Sequence, residues 1–302
     1  MMAARPPPVM FALSFACLAR FPVLQGPFSM ADTPRDIVSL AQSSQDLLAA
    51  VRRDAPLVQC LTNFVSMNYA ANALLAVGAS PAMVHAEQEA PEFARISGAV
   101  VINIGTLSAP WLDSMLLTAA AATQAGKPWV LDPVAHHATA FRRDAIQRLL
   151  DLRPAIIRGN ASEIIALAGG QSAGKGVDAQ DAVAQAEQSA RDIAARRKSV
   201  VAVTGEVDFV TDGQRSVRIA GGSALMPRVT ATGCALTAVV GAFAAVSPSH
   251  PYAAAVAALS CFGVAGQRAG VLAEGPGSFG WRFLDALAGL EPDCLTRESP
   301  LR

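Results

Sequence analysis

Gly233 and Cys234, inside the stretch RVTATGCAL (228–236), stand directly before ALTAVVGAFAAV, whose small and apolar residues suit a buried helix. Thr230 to Cys234 are therefore predicted to form the loop that opens this helix. A helix start carries unpaired backbone N–H groups and the positive end of the helix dipole. An anion is well placed there, and a thiol held there is expected to have a lowered pKa. Phosphate binding and reaction at the Cys234 sulfur both stay open at this point.

Polar residues also recur where apolar runs end: Thr62-Asn63, Asn103, Asp132, Arg158 to Asn160, and Thr204. Any one of them reads as a turn or cap residue. Five at equivalent places mark a site, because open α/β sheets bind ligands beyond the carboxyl ends of their strands. In NASE (160–163), Asn160 ends a strand and Glu163 lies one helical turn later on the same side. That pattern is a helix start with a capping box, and it also suits a hydrated magnesium ion. Asp132, in DPV, supplies a second carboxylate from a neighbouring strand. Arg142 offers a fork for a phosphate, with Arg143 beside it on the surface. Gly169, Gly174 and Lys175 have the spacing of a Walker A loop, but helical residues precede them and Gly176 stands where Ser or Thr would hold magnesium. No GxGxxG follows the first strand, so phosphate binding rests on the loop before Cys234.

These residues need a scaffold, and from residue 57 onward short apolar runs alternate with amphipathic segments, the mark of βαβ units around a largely parallel sheet. The predicted strands are PLVQCL, SPAMVHA, AVVINIG, WVLDPV, AIIRGN and VVAVTG. The helices between them include Ser66 to Val77, stopped by Gly78, a short one at Pro91 to Ile96, PWLDSMLLTAAAATQAG and AFRRDAIQRLLDL. DFVTD and RSVRIAG then read as a hairpin-like pair of antiparallel edge strands. Helices at about 251–272 and 281–290, joined by the turn-rich EGPGSFG, close the chain. No internal repeat or polar linker divides residues 57–290.

With 302 residues, about half of them apolar, the chain fits a single α/β domain. Lysine plus arginine equals aspartate plus glutamate at 24 each, and no basic stripe with interleaved aromatics occurs, so a nucleic-acid partner is not expected. A small-molecule partner is. The cysteines at 17, 60, 234, 261 and 294 have no zinc spacing, and free thiols in a reducing cytoplasm fit them best. The histidines at 85, 136, 137 and 250 form no HExxH, and the 136–137 pair reads as loop surface. In the first 30 residues the apolar run Val9 to Ala19 is too short to span a bilayer and ends in Arg20 without a small-x-small cleavage site. Residues 1–30 are therefore expected to be a disordered extension or the product of a start codon placed too early, with no membrane partner.

LTNFVSMNYAANALLAVGASPAM, NIGTLS, LDPVAHHATAFR, IIRGNASEI, KGVDA, VTGEVD, TATGCALT and GPGSF occur in that order over about residues 40–290. Together they resemble the hydroxyethylthiazole kinases, thiamine-salvage enzymes of the ribokinase-like superfamily. The resemblance implies a three-layer α/β/α sandwich over residues 31–295, with a mostly parallel sheet and antiparallel edge strands. It implies transfer of phosphate from ATP, with Mg2+, to the primary alcohol of 4-methyl-5-(2-hydroxyethyl)thiazole, on a homotrimer with active sites at subunit interfaces. By the same resemblance Met83, Asn63 and Ala231 border the thiazole, Arg142, Thr204 and Asn160 contact ATP, and Asp132 and Glu163 serve the magnesium shell. The TATGC loop cradles the phosphoryl group, and Gly233 and Cys234 carry the catalysis. Cys234 falls where most of the superfamily has an aspartate, and Ala231 replaces the first glycine of Gly-x-Gly-Asp, leaving Gly233 as the expected source of backbone freedom.

Two other readings compete. Another small alcohol, such as a hydroxymethylpyrimidine or a sugar, would use the same fold, although the apolar residues Ala82 and Met83 favour a flat heterocycle over a sugar. A cysteine-nucleophile hydrolase would instead need His85, His136, His137 or His250 within reach of Cys234.

Overall fold

A computed structural model describes residues 30, 31, 34–170 and 179–302. The N-terminal stretch 1–29 and the Walker-like residues Gly174 to Gly176, with most of KGVDA, lie outside the described residues.

Among the described residues nine strands form one sheet: β1 (Met30–Ala31), β2 (Leu57–Leu61), β3 (Ser80–Ala82), β4 (Ala99–Asn103), β5 (Trp129–Asp132), β6 (Ile156–Asn160), β7 (Val200–Thr204), β8 (Asp208–Thr211) and β9 (Arg215–Ile219). Their spatial order is β1-β9-β8-β7-β6-β5-β4-β2-β3. All neighbours run parallel except β7–β8 and β8–β9.

The helices are α1 (Pro34–Asp54), α2 (Met67–Val77), α3 (Ala90–Ile96), α4 (Ala109–Gln124), α5 (Ala140–Leu150), α6 (Ala161–Leu167), α7 (Ala179–Arg197), α8 (Thr232–Val246), α9 (Pro251–Leu272), α10 (Pro276–Ala288) and α11 (Cys294–Arg297).

Strand residues alternate between two cores because successive side chains leave opposite faces of a strand. Val58, Val101, Val130 and Ile156 pack with residues of α1, α2, α8, α9 and α10. Val100, Ile102, Leu131, Ile157 and Val201 pack with α3 to α7 on the other face. The result is the three-layer α/β/α sandwich that the family resemblance implies. Helix α8 reaches the middle of the sheet because it carries Gly241, where a Cβ would lie 2.5 Å from Val101 Cγ2. By length and composition α9 could cross a membrane, but 67% of its apolar window is buried inside the fold.

Several boundaries differ from the sequence reading. The helical pattern begins before residue 57, since α1 buries Leu48 and Val51. Strand β3 keeps only three of the seven residues of SPAMVHA; beyond it the Gln59 amide donates to Val84 O (3.1 Å) and Ala90 O (3.0 Å), pinning a loop. The predicted hairpin strands are antiparallel, but β9 is not the edge. Met30 pairs with Arg215 in β1, and Leu301 bridges Ile219, so the body continues past residue 295. Helix α10 starts within the predicted turn, five residues before Trp281, because Pro276 suits a first helical turn and Ser278 Oγ accepts from Gly275 N at 3.1 Å.

Candidate active site

Helix α8 begins at Thr232, so Gly233 and Cys234 lie in its first turn rather than in a preceding loop. The left-handed residue at its entry is Ala231, with φ 68°. The expectation that Gly233 supplies the backbone freedom is therefore corrected: its φ is not in the left-handed region. Glycine at 233 leaves the guanidinium its room, because a Cβ there would lie 2.9 Å from Arg158 Nη1 and would require the arginine end to shift.

The ends of β2, β4, β5, β6 and β7 converge beneath this helix start, and their side chains form one continuous network. Asn63 Nδ2 donates to Asn103 Oδ1 (2.8 Å) and to Cys234 Sγ (3.4 Å). Asn103 Nδ2 donates to Asp132 Oδ2 (2.8 Å), which also accepts from Thr237 Oγ1 (2.7 Å). Arg158 Nη1 lies 3.7 Å from the same oxygen, and Arg158 Nη2 donates to Thr204 Oγ1 at 2.6 Å. Asn63, Asn103 and Asp132 are all buried.

Beside this network opens a cleft of about 720 Å3, with Arg158, Asn160, Thr204, Asp208 and Gly233 in its walls. The arginine facing the cleft is Arg158. Arg142, expected at a phosphate, instead donates to the main-chain oxygens of Ile104 (2.7 Å), Val134 (2.9 Å) and Gly105, tying together the loops after β4 and β5. Sequence reasoning noted Arg158 only as a strand-end residue. The signal was present: a charged side chain between the buried Ile157 and Gly159 of a strand needs a partner.

Burial pushes the Asp132 carboxyl up to about 6, helped by the negative charge of Glu163 and opposed by Arg158, Thr237 and Asn103. Burial likewise raises the Cys234 thiol, and the Asp132 charge adds to it, against the donors Asn63 and Asn103 and the charge of Arg158. The lowered thiol pKa expected for a helix start is thus reversed, because desolvation and a nearby carboxylate outweigh it. Cys234 has no hydrogen bond to a histidine among the described residues. His85 and His136 use Nδ1 on the carbonyls of Met83 and Pro133.

Met83 follows β3 and packs, half buried, against the core on the α2 and α8 side of the sheet. Asn160 and Glu163 form the expected capping box: Asn160 Oδ1 accepts from Glu163 N (3.0 Å), and Glu163 Oε2 from Asn160 N (2.9 Å). Glu163 Oε1 accepts from Ala135 N at 2.9 Å. Among the described residues no cluster of three or more His, Cys, Asp or Glu could bind a metal directly. Asp132 Oδ1 is buried without a partner, while each Glu163 oxygen keeps a free lone pair. This set fits a cation that keeps most of its waters, as magnesium does, and does not fit a fully dehydrated one.

The sequence profile of the Hydroxyethylthiazole kinase family matches residues 48–293. A hydroxyethylthiazole kinase of Rhizobium johnstonii is 67% identical over 249 residues, covering 82% of this chain and 93% of its own. One from Cereibacter sphaeroides is 59% identical, over 84% of this chain and 96% of its own. Among solved structures, a hydroxyethylthiazole kinase protein of Pyrococcus horikoshii superposes with a TM-score of 0.79 at 41% identity, covering 86% of this chain and 98% of that one. A ribokinase-like superfamily protein of Enterococcus faecalis, 11% identical with a TM-score of 0.55, shares the fold. With its profile, its relatives and its sandwich in agreement, the chain belongs to the hydroxyethylthiazole kinase family.

Proposed function

We propose that this protein transfers the terminal phosphoryl group of ATP to the primary alcohol of 4-methyl-5-(2-hydroxyethyl)thiazole, in thiamine salvage. One observation supports this above the others: Gly233 faces the Arg158–Thr204 cleft, while its neighbour Cys234 meets Asn63 on the other side. A phosphoryl donor in the cleft and an alcohol beside Asn63 would meet at a single helix start.

In this reading Thr204, Asn160 and Arg158 bind the polyphosphate, and the first N–H groups of α8 face the transferring group. Phosphoryl transfer proceeds through a loose transition state, so oriented donors and positive charge supply most of the acceleration. Arg158 brings a guanidinium already oriented by Asp132 and Thr204. Asn63, Met83 and Ala231 border the thiazole. Cys234 Sγ borders the alcohol and, in its thiolate form, takes the alcohol proton late, as the oxygen–phosphorus bond forms. Magnesium, when bound with ATP, neutralises charge on the phosphates; Asp132 and Glu163 are the carboxylates that would hold its waters. Arg142 acts at a distance by fixing the loops after β4 and β5.

We further infer one kinase domain from residue 31, a cytoplasmic setting and a homotrimer. Cys60, Cys234, Cys261 and Cys294 are free thiols, in keeping with a reducing compartment. Phe64 (70% exposed), Val65 (60%) and Leu75 (60%) put apolar surface on α2 and its approach, where a neighbouring subunit would complete the thiazole side. The test is a panel of alcohols with ATP and magnesium. Phosphorylation of the thiazole alcohol above the pyrimidine alcohol and sugars is expected, and the reverse preference refutes the assignment. Light scattering that finds an active monomer refutes the trimer.

A further inference from the structure

Two carboxamides in the network have orientations fixed by groups that can act only as donors. The backbone N–H of Gly105 donates to one side-chain atom of Asn103 at 2.9 Å, so that atom is Oδ1 and Nδ2 must face Asp132. The backbone N–H of Ser66 donates to one side-chain atom of Asn63 at 3.0 Å, so that atom is Oδ1 and Nδ2 must face Asn103 and Cys234. The two hydrogens of that Nδ2 have two acceptors, Asn103 Oδ1 and Cys234 Sγ. Packing leaves little room for an alternative, since a Cβ at Gly105 would lie 2.6 Å from Asn63 Nδ2.

We propose that Asn103 is a positioning residue that holds the Asn63 carboxamide with its NH2 on Cys234 Sγ, keeping the sulfur a hydrogen-bond acceptor at the place where the alcohol proton would be taken. Sulfur that already accepts a bond is stabilised as the thiolate. The hydrogen bond to Sγ is given by Asn63, and Asn103 acts chiefly through it, although Asn103 lies close enough to Cys234 to lower the thiol directly as well. Its Nδ2 is in turn anchored on Asp132, so the orientation is relayed from the sheet interior to the helix start. Asn103 is 1% exposed, and no bulk water substitutes for it.

This inference rests on the proposed phosphoryl transfer for its kinetic reading only; the thiol reading is independent of it. The experiment is a double-mutant cycle with Asn103→Ala and Cys234→Ala, run beside iodoacetamide labelling of Cys234 followed by peptide mass spectrometry. Cys60, Cys261 and Cys294 are buried, so Cys234 is distinguishable from them in the folded protein.

Asn103→Ala is expected to slow labelling of Cys234 and to lower kcat, each by about fivefold, the size of one hydrogen bond, with little change in KM for ATP. In the Cys234→Ala background the same substitution is expected to cost nothing further in kcat. If the two losses multiply, or if labelling is unchanged, Asn103 is a packing residue and the proposal is wrong. Asn103→Leu, of similar volume and without the acceptor for Asn63, goes through the same cycle with the same two readings where the alanine variant does not fold. A parent enzyme that does not phosphorylate the thiazole alcohol overturns the functional assignment alone, and labelling then decides the relay.

Discussion

A side-chain carbon on Gly233 would stand 2.9 Å from Nη1 and 3.1 Å from Nη2 of Arg158. The helix start and the guanidinium therefore share one space, into which no methyl group fits unless the arginine moves. Arg158 is held by Thr204 and Asp132, so moving it breaks contacts on both sides. Gly233→Val is expected to leave a folded protein with almost no turnover, because a β-branched side chain displaces the guanidinium and fills the room for the phosphoryl group. Turnover at saturating ATP, with circular dichroism as the folding control, checks this. Substantial activity in the valine variant would show that the two groups do not meet in catalysis.

Arg158 and Arg142 separate binding from scaffolding. Arg158→Ala removes a positive charge from the cleft wall, and kcat/KM is expected to fall by about 10²- to 10³-fold. Arg142→Ala strands the carbonyls of Ile104, Gly105 and Val134. It is expected to cost about 1–3 kcal/mol of stability, with the larger effect on melting temperature than on KM for ATP. An Arg142→Ala variant with unchanged melting and a much raised KM for ATP would return Arg142 to the nucleotide.

Ala231 sits at φ 68°, where an L-residue costs about 1–2 kcal/mol and glycine does not. Glycine has more freedom to lose from the unfolded chain, about 0.4–1 kcal/mol, which offsets part of the gain. Ala231→Gly is thus expected to be more stable than the parent by up to about 1 kcal/mol. A lower denaturation midpoint in urea for the glycine variant would contradict this.

The largely parallel α/β sheet was legible because apolar runs and amphipathic helices alternate with little ambiguity, and β2, β4, β5, β6 and β7 lie within the predicted runs, while the three-layer sandwich came from the family resemblance. The polar residues at their ends were legible for the same reason. Two kinds of information were not. Which arginine faces the cleft depends on where a long side chain turns, and Arg142 and Arg158 each lie in a plausible motif; only the fold puts carbonyls around one and Thr204 beside the other. The direction of the Cys234 shift depends on how much protein covers the sulfur and on Asp132, 102 residues earlier in sequence, reaching the same place. Helix position alone points the other way.

Asp208 gives the site a pH dependence that stability measurements can read. Burial raises its carboxyl to about 6, against the Gly205 N–H it accepts and the charge of Arg158. Because the folded value lies above the unfolded one, the folded protein keeps this proton after the unfolded chain has released it. Between about pH 4 and the folded value near 6, stability from this group falls as pH rises. Asp208→Asn retains the acceptor for Gly205 and has no proton to lose, so its stability should fall less across that window. Urea midpoints of both proteins at several pH values check the sign, and parallel curves would contradict the raised carboxyl.

Cys234 is the residue at which the helix start meets the buried network and, in the proposed reaction, the alcohol, and its variants divide the roles. The thiol is raised by burial and by Asp132, so little thiolate exists near neutral pH, and a base present in so small a fraction can serve only if the reaction depends little on early proton removal. A loose transition state has that property, which limits the value of a base to about 10²-fold or less. Cys234→Ala is therefore expected to lose activity in part. Cys234→Asp places a carboxylate in the first turn of α8, where the helix dipole favours it and the Asn63 NH2 can donate to it. The nearby Asp132 charge opposes this, but Arg158 and the N–H groups of the helix start remain to balance it. The aspartate variant is expected to stay active and to equal or exceed the parent in turnover. Turnover of both variants with ATP and the thiazole alcohol decides the matter. A folded but inactive aspartate variant would mean that the sulfur acts as a nucleophile or as packing that nothing else replaces, and proton transfer at residue 234 would then have no part in the reaction.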